Sequence, residues 1–248
     1  MTDWEDLARE CDLWASAGRR ATWWWRDDDA VGWTPELGTL LEVAQGPVAL
    51  AVIPDRLLPD LALKLPSRTG FSVLQHGFAH VNRAEPGRRK SEFPDSRDPA
   101  EIRAELAAGR RRLEAAFGPR FLPVLTPPWN RIGGATLAFL SELGFRGVSQ
   151  YQPRPEAWVH GVKRVNTHVD VIDWQGGRGF LGESACLDLL IGHLRARRAG
   201  LADADEPTGL LTHHLVHDPA TWRFCEKLRS FLGKQAATHQ LDPAEAFA

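Results

Sequence analysis

The sequence predicts an α/β fold, an irregular barrel in which seven parallel strands alternate with helices. Short apolar segments alternate with longer segments of helical periodicity along the chain, which is typical of βαβ units. The 248 residues, 43% hydrophobic and 25% charged, suffice for one large domain over 1–248. Polar clusters follow the carboxyl ends of the predicted strands, where parallel barrels build active sites. They lie at 26–29, 76–82, 126–131, 170–174 and 212–217.

Caps and breakers define the elements in the first half of the chain. Thr2 and Glu5 form a capping box for a helix that extends to Ala17, and the apolar segment 21–25 predicts the first strand. Residues 34–35, Thr-Pro, place a cap and a first-turn proline at the start of the next helix. The other elements predicted here are strand 47–53, helix 57–65 and strand 71–75.

The second half of the chain continues the alternation. A capping sequence at 98–101 starts a long helix that Gly118 ends, and Gly144 ends a shorter helix. The predicted helices are 98–117, 134–143, 184–198 and 219–232, and the predicted strands are 121–126, 146–150, 162–173 and 208–214. Residues 81–97 are polar and predict a long loop over the end of the third strand.

Composition excludes several classes of function. A net charge of -2 gives no overall basic field for nucleic acid or an anionic membrane. Cys11, Cys186 and Cys225 are widely spaced, which favours neither a disulfide framework nor a thiolate zinc site. No segment resembles a secretion signal or a membrane span, so we expect a cytoplasmic protein without nucleic-acid or membrane partners. The oligomeric state is not predicted.

Two histidines four residues apart, His76 and His80, form the first candidate site. In a helical turn or a compact loop both rings can converge on one ion, and neutral imidazole is a common metal ligand. A carboxylate from the segment 26–29, Arg-Asp-Asp-Asp, would complete a ligand set with an open position. The structural alternative is that each ring bonds a backbone carbonyl.

The order of the clusters resembles that of the polysaccharide deacetylases with NodB homology, of carbohydrate esterase family 4 type. Their pattern is an Asp-Asp pair, His-x-x-x-His, an Arg-x-Pro-aromatic turn, Asp-x-x-Asp-Trp and Leu-x-His. All five have counterparts between residues 26 and 214, in the same order. RDDDA, HGxxHxN and PPWN look most like a subgroup of cytoplasmic deacetylases. The resemblance implies a (β/α)7 barrel of the NodB-homology, glycoside hydrolase/deacetylase type.

The resemblance also implies one divalent metal ion, held by Asp28, His76 and His80, with Asp27 as the general base. Zinc is the expected ion, with cobalt, nickel and iron as alternatives. The alternative register within the Asp triplet is shifted by one residue. Asp28 is then the base and Asp29 the metal ligand.

The third motif has its counterpart in Pro128, Trp129 and Asn130. By resemblance these residues contact the substrate, and the Trp129 backbone N–H donates to the oxyanion. The arginine of this motif, which pairs with the base in the family, is missing here. Arg26 or Arg131 is the candidate substitute.

The last two motifs supply the remaining candidates. Asp170 and Trp174 match the fourth motif, in which the acid orients charged neighbours and the indole lines the sugar or acetyl pocket. Core packing is the alternative for Trp174. His213 keeps the Leu-x-His spacing, and His214 points to the other side of the strand. One of these histidines is the expected general acid and the other its structural partner.

These residues imply a metal-dependent hydrolase that removes an N- or O-acetyl group from a carbohydrate or sugar conjugate. One alternative is a metal-dependent amidase for a non-carbohydrate C–N bond. Another is a non-catalytic carbohydrate-binding protein on the same barrel, which the missing arginine favours. The ten tryptophans suit sugar rings, although most are expected in the core.

Overall fold

Helices and strands alternate along the chain in the computed structural model, which describes residues 2–65 and 70–248. The helices of these residues are α1 (Trp4–Ser16), α2 (Pro35–Ala44), α3 (Pro59–Lys64), α4 (Pro99–Phe117), α5 (Gly134–Leu137), α6 (Glu183–Arg198), α7 (Pro219–Lys234) and α8 (Pro243–Ala246). The strands are β1 (Ala21–Ala30), β2 (Val48–Val52), β3 (Phe71–His76), β4 (Phe121–Thr126), β5 (Gly147–Val148), β6 (Trp158–Val159), β7 (Val162–Arg164), β8 (Val169–Asp170), β9 (Thr208–Thr212) and β10 (Thr238–Gln240). None of the described helices has the length and apolar character needed to cross a membrane.

One sheet contains all of these strands, and β1 lies in it between β2 and β9. Its order is β6-β7-β5-β4-β3-β2-β1-β9-β8, and β10 pairs with the first residues of β1. Every pairing is parallel except the β6–β7 hairpin. The predicted parallel α/β barrel is confirmed, with one difference: among the described residues the sheet does not close into a ring. The carboxyl ends of β1, β3, β4 and β9 share one edge of the sheet.

Strand β1 separates two apolar cores. Trp23 and Trp25 lie in the core beneath α1, α2, α6 and α7. Trp24 packs on the opposite face with apolar residues of β2, β3 and β4, and its ring centroid lies 5.6 Å from that of Phe247. Successive strand side chains point to opposite faces, so Trp24 faces the barrel interior and its two neighbours face the helices.

Several elements differ from their predicted bounds. β1 continues to Ala30, beyond residue 25, because the charged side chains that follow the tryptophans are buried and paired. The predicted strand 162–173 is divided into β7 and β8, and the hairpin strand β6 and the short β10 were not predicted. The helix expected over 134–143 ends at Leu137. Asp3, rather than Thr2, caps α1 and forms its capping box with Asp6.

Gly209 of β9 lies where another segment of the chain passes closely. A Cβ at this position would lie 2.6 Å from the Asn166 carbonyl oxygen and 2.7 Å from Trp24 Nε1. Gly209→Ala should therefore lower the free energy of unfolding by about 1–3 kcal/mol. Gly192→Ala in α6, where nothing lies within 4 Å, should raise it by up to about 1 kcal/mol through helix propensity. Guanidinium unfolding measures both, and equal changes would contradict the crowding at Gly209.

Candidate active site

The end of β1 directs its three acidic side chains to three different places. Arg26 and Asp28 are buried on the face of Trp24, inside the barrel, and Asp27 is buried on the helix-facing side. Asp29 has a left-handed backbone, with φ of 73°. Aspartate tolerates this conformation better than most residues. The change of backbone direction turns the Asp29 carboxylate toward the loop that follows β3.

His76 is the last residue of β3, and the compact, non-helical loop 77–80 that follows it ends at His80, the second histidine of the His-x-x-x-His motif. Gly77 has φ of 57°, and a Cβ there would lie 2.0 Å from Glu92 Oε2. The Glu92 carboxylate is 1% exposed and accepts the backbone N–H groups of Phe78 (3.0 Å) and Ala79 (2.7 Å). Glu92 therefore holds the loop in shape. Sequence reasoning missed it, because it lies in a polar segment that predicts only a surface loop.

The two imidazoles face the Asp29 carboxylate. Asp29 Oδ1 lies 3.1 Å from His76 Nε2 and 3.3 Å from His80 Nε2. His76 Nδ1 lies 3.0 Å from the carbonyl oxygen of Thr126, which can only accept, so Nδ1 carries the hydrogen and Nε2 presents a lone pair. Asp29 Oδ1 is buried and forms no hydrogen bond of normal geometry with the described residues. The Asp29 oxygen and the His76 lone pair are both acceptors, and a cation between them would compensate their mutual repulsion.

The electrostatics of this cluster also suit a divalent ion. The three ligand atoms of Asp29, His76 and His80 lie within 4.8 Å of one another. Burial acts to raise the pKa of Asp29, but the facing imidazoles, His76 first, hold it below its ordinary value. Burial and His76 lower the pKa of His80. Burial acts to lower the pKa of His76, but the charges of Asp28 and Asp29 outweigh it, so that this pKa is raised. The negative charge that attracts a proton to His76 also attracts a metal cation.

The geometry corrects the register first expected for the Asp triplet. Asp29, rather than Asp28, faces the imidazoles. Asp28 forms a two-bond ion pair with Arg26, with Nε–Oδ1 of 2.9 Å and Nη2–Oδ2 of 3.0 Å. Asp27 lies on the other face of the strand and cannot be the base beside these histidines. The geometry matches the shifted register, with Asp28 in the place of the base. The cause is the left-handed backbone of Asp29, which pattern alone does not reveal.

Of the two candidate substitutes for the arginine missing from the third motif, Arg26 is the one that pairs with Asp28. Its guanidinium is fully buried and also donates to Ser149 Oγ (2.7 Å) and to Asn130 Oδ1 (2.7 Å). Arg131, the other candidate substitute, donates instead to the Lys90 carbonyl oxygen. A planar, permanently charged guanidinium suits this bidentate contact better than any other side chain.

The turn after β4 places a free backbone donor beside the histidines. Trp129 and Asn130 both have left-handed backbones, with φ of 55° and 56°. The Trp129 ring centroid lies 4.6 Å from that of His80. Its backbone N–H has no hydrogen-bond partner among residues 2–65 and 70–248. Pro128, buried before it, fixes the start of the turn.

A pair of aromatic rings forms another wall of the site. Trp174 is 43% exposed, which excludes core packing, and its Nε1 donates to Asp170 Oδ2 at 2.8 Å. Its ring meets the edge of His213, with 4.7 Å between centroids. His213 Nδ1 is buried and has no hydrogen-bond partner in the described part of the chain. Burial raises the pKa of Asp170, and the nearby charge of His213 opposes that rise.

His214 lies just after the end of β9 and points away from the site, as expected. Its Nδ1 bonds Asp27 Oδ1, and its backbone N–H donates to Asp27 Oδ2 at 3.0 Å. Thr212 Oγ1 donates to the same oxygen at 2.7 Å. Burial acts to raise the pKa of Asp27, but His214 lowers it, and Asp27 in turn raises the pKa of His214. This buried pair anchors the end of β9 and so orients His213.

A second cluster of potential ligands, His168, His193 and Glu206, is a structural network. The two rings are stacked, with 3.4 Å between centroids. His168 Nδ1 accepts the Gly209 N–H, so the neutral ring carries its proton on Nε2, 3.3 Å from Glu206 Oε2. Glu206 also accepts two backbone N–H groups. A ring that accepts at Nδ1 has no Nε2 lone pair for a metal while it stays neutral.

No protein-family model and no curated protein matches the sequence. Solved structures do match. A Mycobacterium smegmatis protein assigned as a polysaccharide deacetylase has a TM-score of 0.64 at 16% identity, over 92% of this chain and 89% of that one. The Bc1960 peptidoglycan N-acetylglucosamine deacetylase has a TM-score of 0.58 at 14% identity, over 90% and 86%. A family 4 acetyl xylan esterase from Clostridium thermocellum, solved with a cobalt ion, has a TM-score of 0.53 at 13% identity, over 91% and 90%. The chain has the fold of these deacetylases and esterases, which confirms the fold that the motif order implied.

The ion pair inside the barrel can be tested by a double-mutant cycle. Arg26→Met should lower the free energy of unfolding by about 3–5 kcal/mol, because the Asp28 carboxylate is then buried without a counter-charge. Asp28→Asn in addition should recover part of that loss, since it removes the uncompensated charge. Denaturant unfolding of the parent, both single variants and the double variant measures the coupling. Strictly additive losses would contradict the pairing.

Proposed function

We propose that this chain is a metal-dependent hydrolase that removes an acetyl group from a carbohydrate or sugar conjugate. The observation that carries the proposal is the Asp29 carboxylate facing two imidazole Nε2 atoms, with a second acid, Asp28, held separately by Arg26. One acid is thus available to a metal and another to a proton. The fold shared with deacetylases supports the same activity.

Asp29, His76 and His80 would hold the ion, and zinc is the metal we propose. Cobalt, present in the acetyl xylan esterase structure, is an alternative, as are nickel and iron. When bound, a divalent ion there supplies a Lewis acid that polarises the acetyl carbonyl and lowers the pKa of water.

Side chains and a backbone N–H of the chain itself carry out the proton transfers and stabilise the oxyanion. Asp28, oriented by Arg26, takes the proton of the attacking water. The free Trp129 N–H donates to the oxygen that becomes negative in the tetrahedral transition state, a contribution of about 3–4 kcal/mol where such donors have been removed. His213 gives its proton to the leaving amine. Products are acetate and an amino sugar.

The walls of the site favour a sugar over a small amide. Trp174 offers an exposed indole face, held in place by its bond to Asp170, and aromatic faces suit sugar rings. The non-catalytic reading depended on a missing arginine, and Arg26 fills that role. A cytoplasmic location and one domain over residues 1–248 stay predictions.

Metal content separates the two registers of the Asp triplet. Asp29→Asn should lose most of its metal, as should the His76→Ala/His80→Ala double variant, because each removes ligand atoms. Asp28→Asn is the matched control and should keep near-stoichiometric metal, because Asp28 pairs with Arg26. Plasma mass spectrometry after incubation with zinc measures the metal, and circular dichroism verifies folding. If Asp28→Asn lost its metal and Asp29→Asn kept it, Asp28 would be the ligand, as the register first expected has it.

Turnover tests the proton-transfer roles. His213→Gln and Asp28→Asn should each lower kcat for acetate release by about 10²–10⁴-fold, the usual contribution of a general acid or base, while metal content is unchanged. His239 is an exposed histidine of β10, and His239→Gln is the control, which should leave kcat unchanged. Acetate release from N- and O-acetylated oligosaccharides is the assay. A metal-loaded parent that releases no acetate from any of them would instead support a carbohydrate-binding protein.

A further inference from the structure

A cavity of about 640 Å³ opens beside the candidate active site. It lies between the polar segment 84–96 and the turn after β4, and it shares Asn130 and Gln150 with the surroundings of the buried ion pair. Asn130 Oδ1 accepts from Arg26, and Gln150 Nε2 donates to the Asn130 carbonyl oxygen at 3.3 Å. A substrate seated at the metal ligands can therefore extend into this cavity past Asn130.

Three arginines, Arg88, Arg89 and Arg131, line the cavity. Arg88 and Arg89 are exposed on the loop, and neither side chain has an ion pair within the described residues. Arg131 lines the opposite wall, where its bond to the Lys90 carbonyl oxygen (3.2 Å) holds the guanidinium. Lys90 Nζ lies 5.8 Å from the centroid of the Trp129 ring. The cationic surface thus extends from the cavity to the oxyanion turn.

Two acids share the lining with the three arginines, which leaves a formal excess of one positive charge. Asp95 Oδ1 is already bonded to the Ala135 N–H at 3.0 Å, which turns this carboxylate toward α5. Glu85 is the other acidic residue of the lining. The chain as a whole carries a net charge of -2, so this concentration of positive charge is local. Unpaired guanidinium groups around an open cavity are suited to a phosphate, whose oxygens accept bidentate bonds.

We infer that this cavity binds a phosphate or diphosphate group carried by the acetylated sugar whose acetyl group lies at the Asp29 site. The inference rests on the proposed function and narrows its substrate to a phosphorylated sugar conjugate. A soluble sugar phosphate, a nucleoside diphosphate sugar and the headgroup of a lipid-linked sugar share this chemistry. Neutral acetylated polymer lacks it.

Calorimetric binding tests the cavity without any need for turnover. The probes are N-acetylglucosamine 1-phosphate, uridine diphosphate N-acetylglucosamine, a detergent-dispersed polyprenyl diphosphate N-acetylglucosamine and neutral N-acetylglucosamine trimer. Arg88→Gln/Arg89→Gln should weaken binding of the phosphorylated probes by about 10- to 100-fold, and that of the neutral trimer by less than about twofold. Arg20→Gln/Arg111→Gln, which removes two exposed arginines elsewhere, is the charge-matched control and should change neither.

Three results would overturn the inference: equal affinity of the parent for charged and neutral probes, equal losses for both in the arginine variant, or an equal loss in the control. A response confined to the polyprenyl probe assigns the phosphate to a lipid headgroup, and a response to the soluble probes assigns it to a free conjugate. Acetate release is followed in parallel. If the parent hydrolyses none of the probes, the proposed function is contradicted. If the arginine variant hydrolyses the phosphorylated probes as fast as the parent does, only the inference about the cavity is contradicted.

Discussion

The ion pair of Arg26 and Asp28 inside the barrel is the constraint on which the site depends. A fully buried guanidinium is costly unless its charge and its N–H groups are matched, and here Asp28, Ser149 and Asn130 match them. These partners come from β1, from the segment after β5 and from the turn after β4. One cation therefore orients the Asp28 carboxylate and also contacts the turn that presents the Trp129 N–H.

Three carboxylates in succession would repel one another unless each had its own compensation. Asp27 has His214 on the helix-facing side, and Asp28 has Arg26 on the interior side. Alternation along β1 separates these two pairs by the thickness of the strand. Asp29 faces imidazoles, and the neutral form of His76 presents a lone pair to it and supplies no positive charge. The negative charge of Asp29 is compensated only when a proton or a metal ion lies among these ligands. This is the strongest physical reason to expect the ion.

Motif order and the position of polar clusters at strand ends sufficed to predict the fold and to name nearly every residue near the site. The register first expected within the Asp triplet differs from the geometry because the direction of the carboxylates depends on the positive φ of Asp29, a single backbone angle with no periodic signature. Glu92 was missed for a related reason: its role arises from the chain folding back over residues 76–80. The division between β7 and β8 likewise reflects tertiary pairing, since alternation alone continues through both.

The arginine of the third motif shows which property of the site is preserved when sequence diverges. In the family pattern this cation follows β4, whereas here Arg26 precedes Asp28 by two residues on β1. Side chains two residues apart in a strand share a face, so Arg26 reaches Asp28 without help from another element. The turn after β4 therefore does not have to supply the cation. Instead, Asn130 of this turn accepts a hydrogen bond from the Arg26 guanidinium. The feature common to the two arrangements is a fixed positive charge beside the acid that we propose as the base, and the strand that provides it differs.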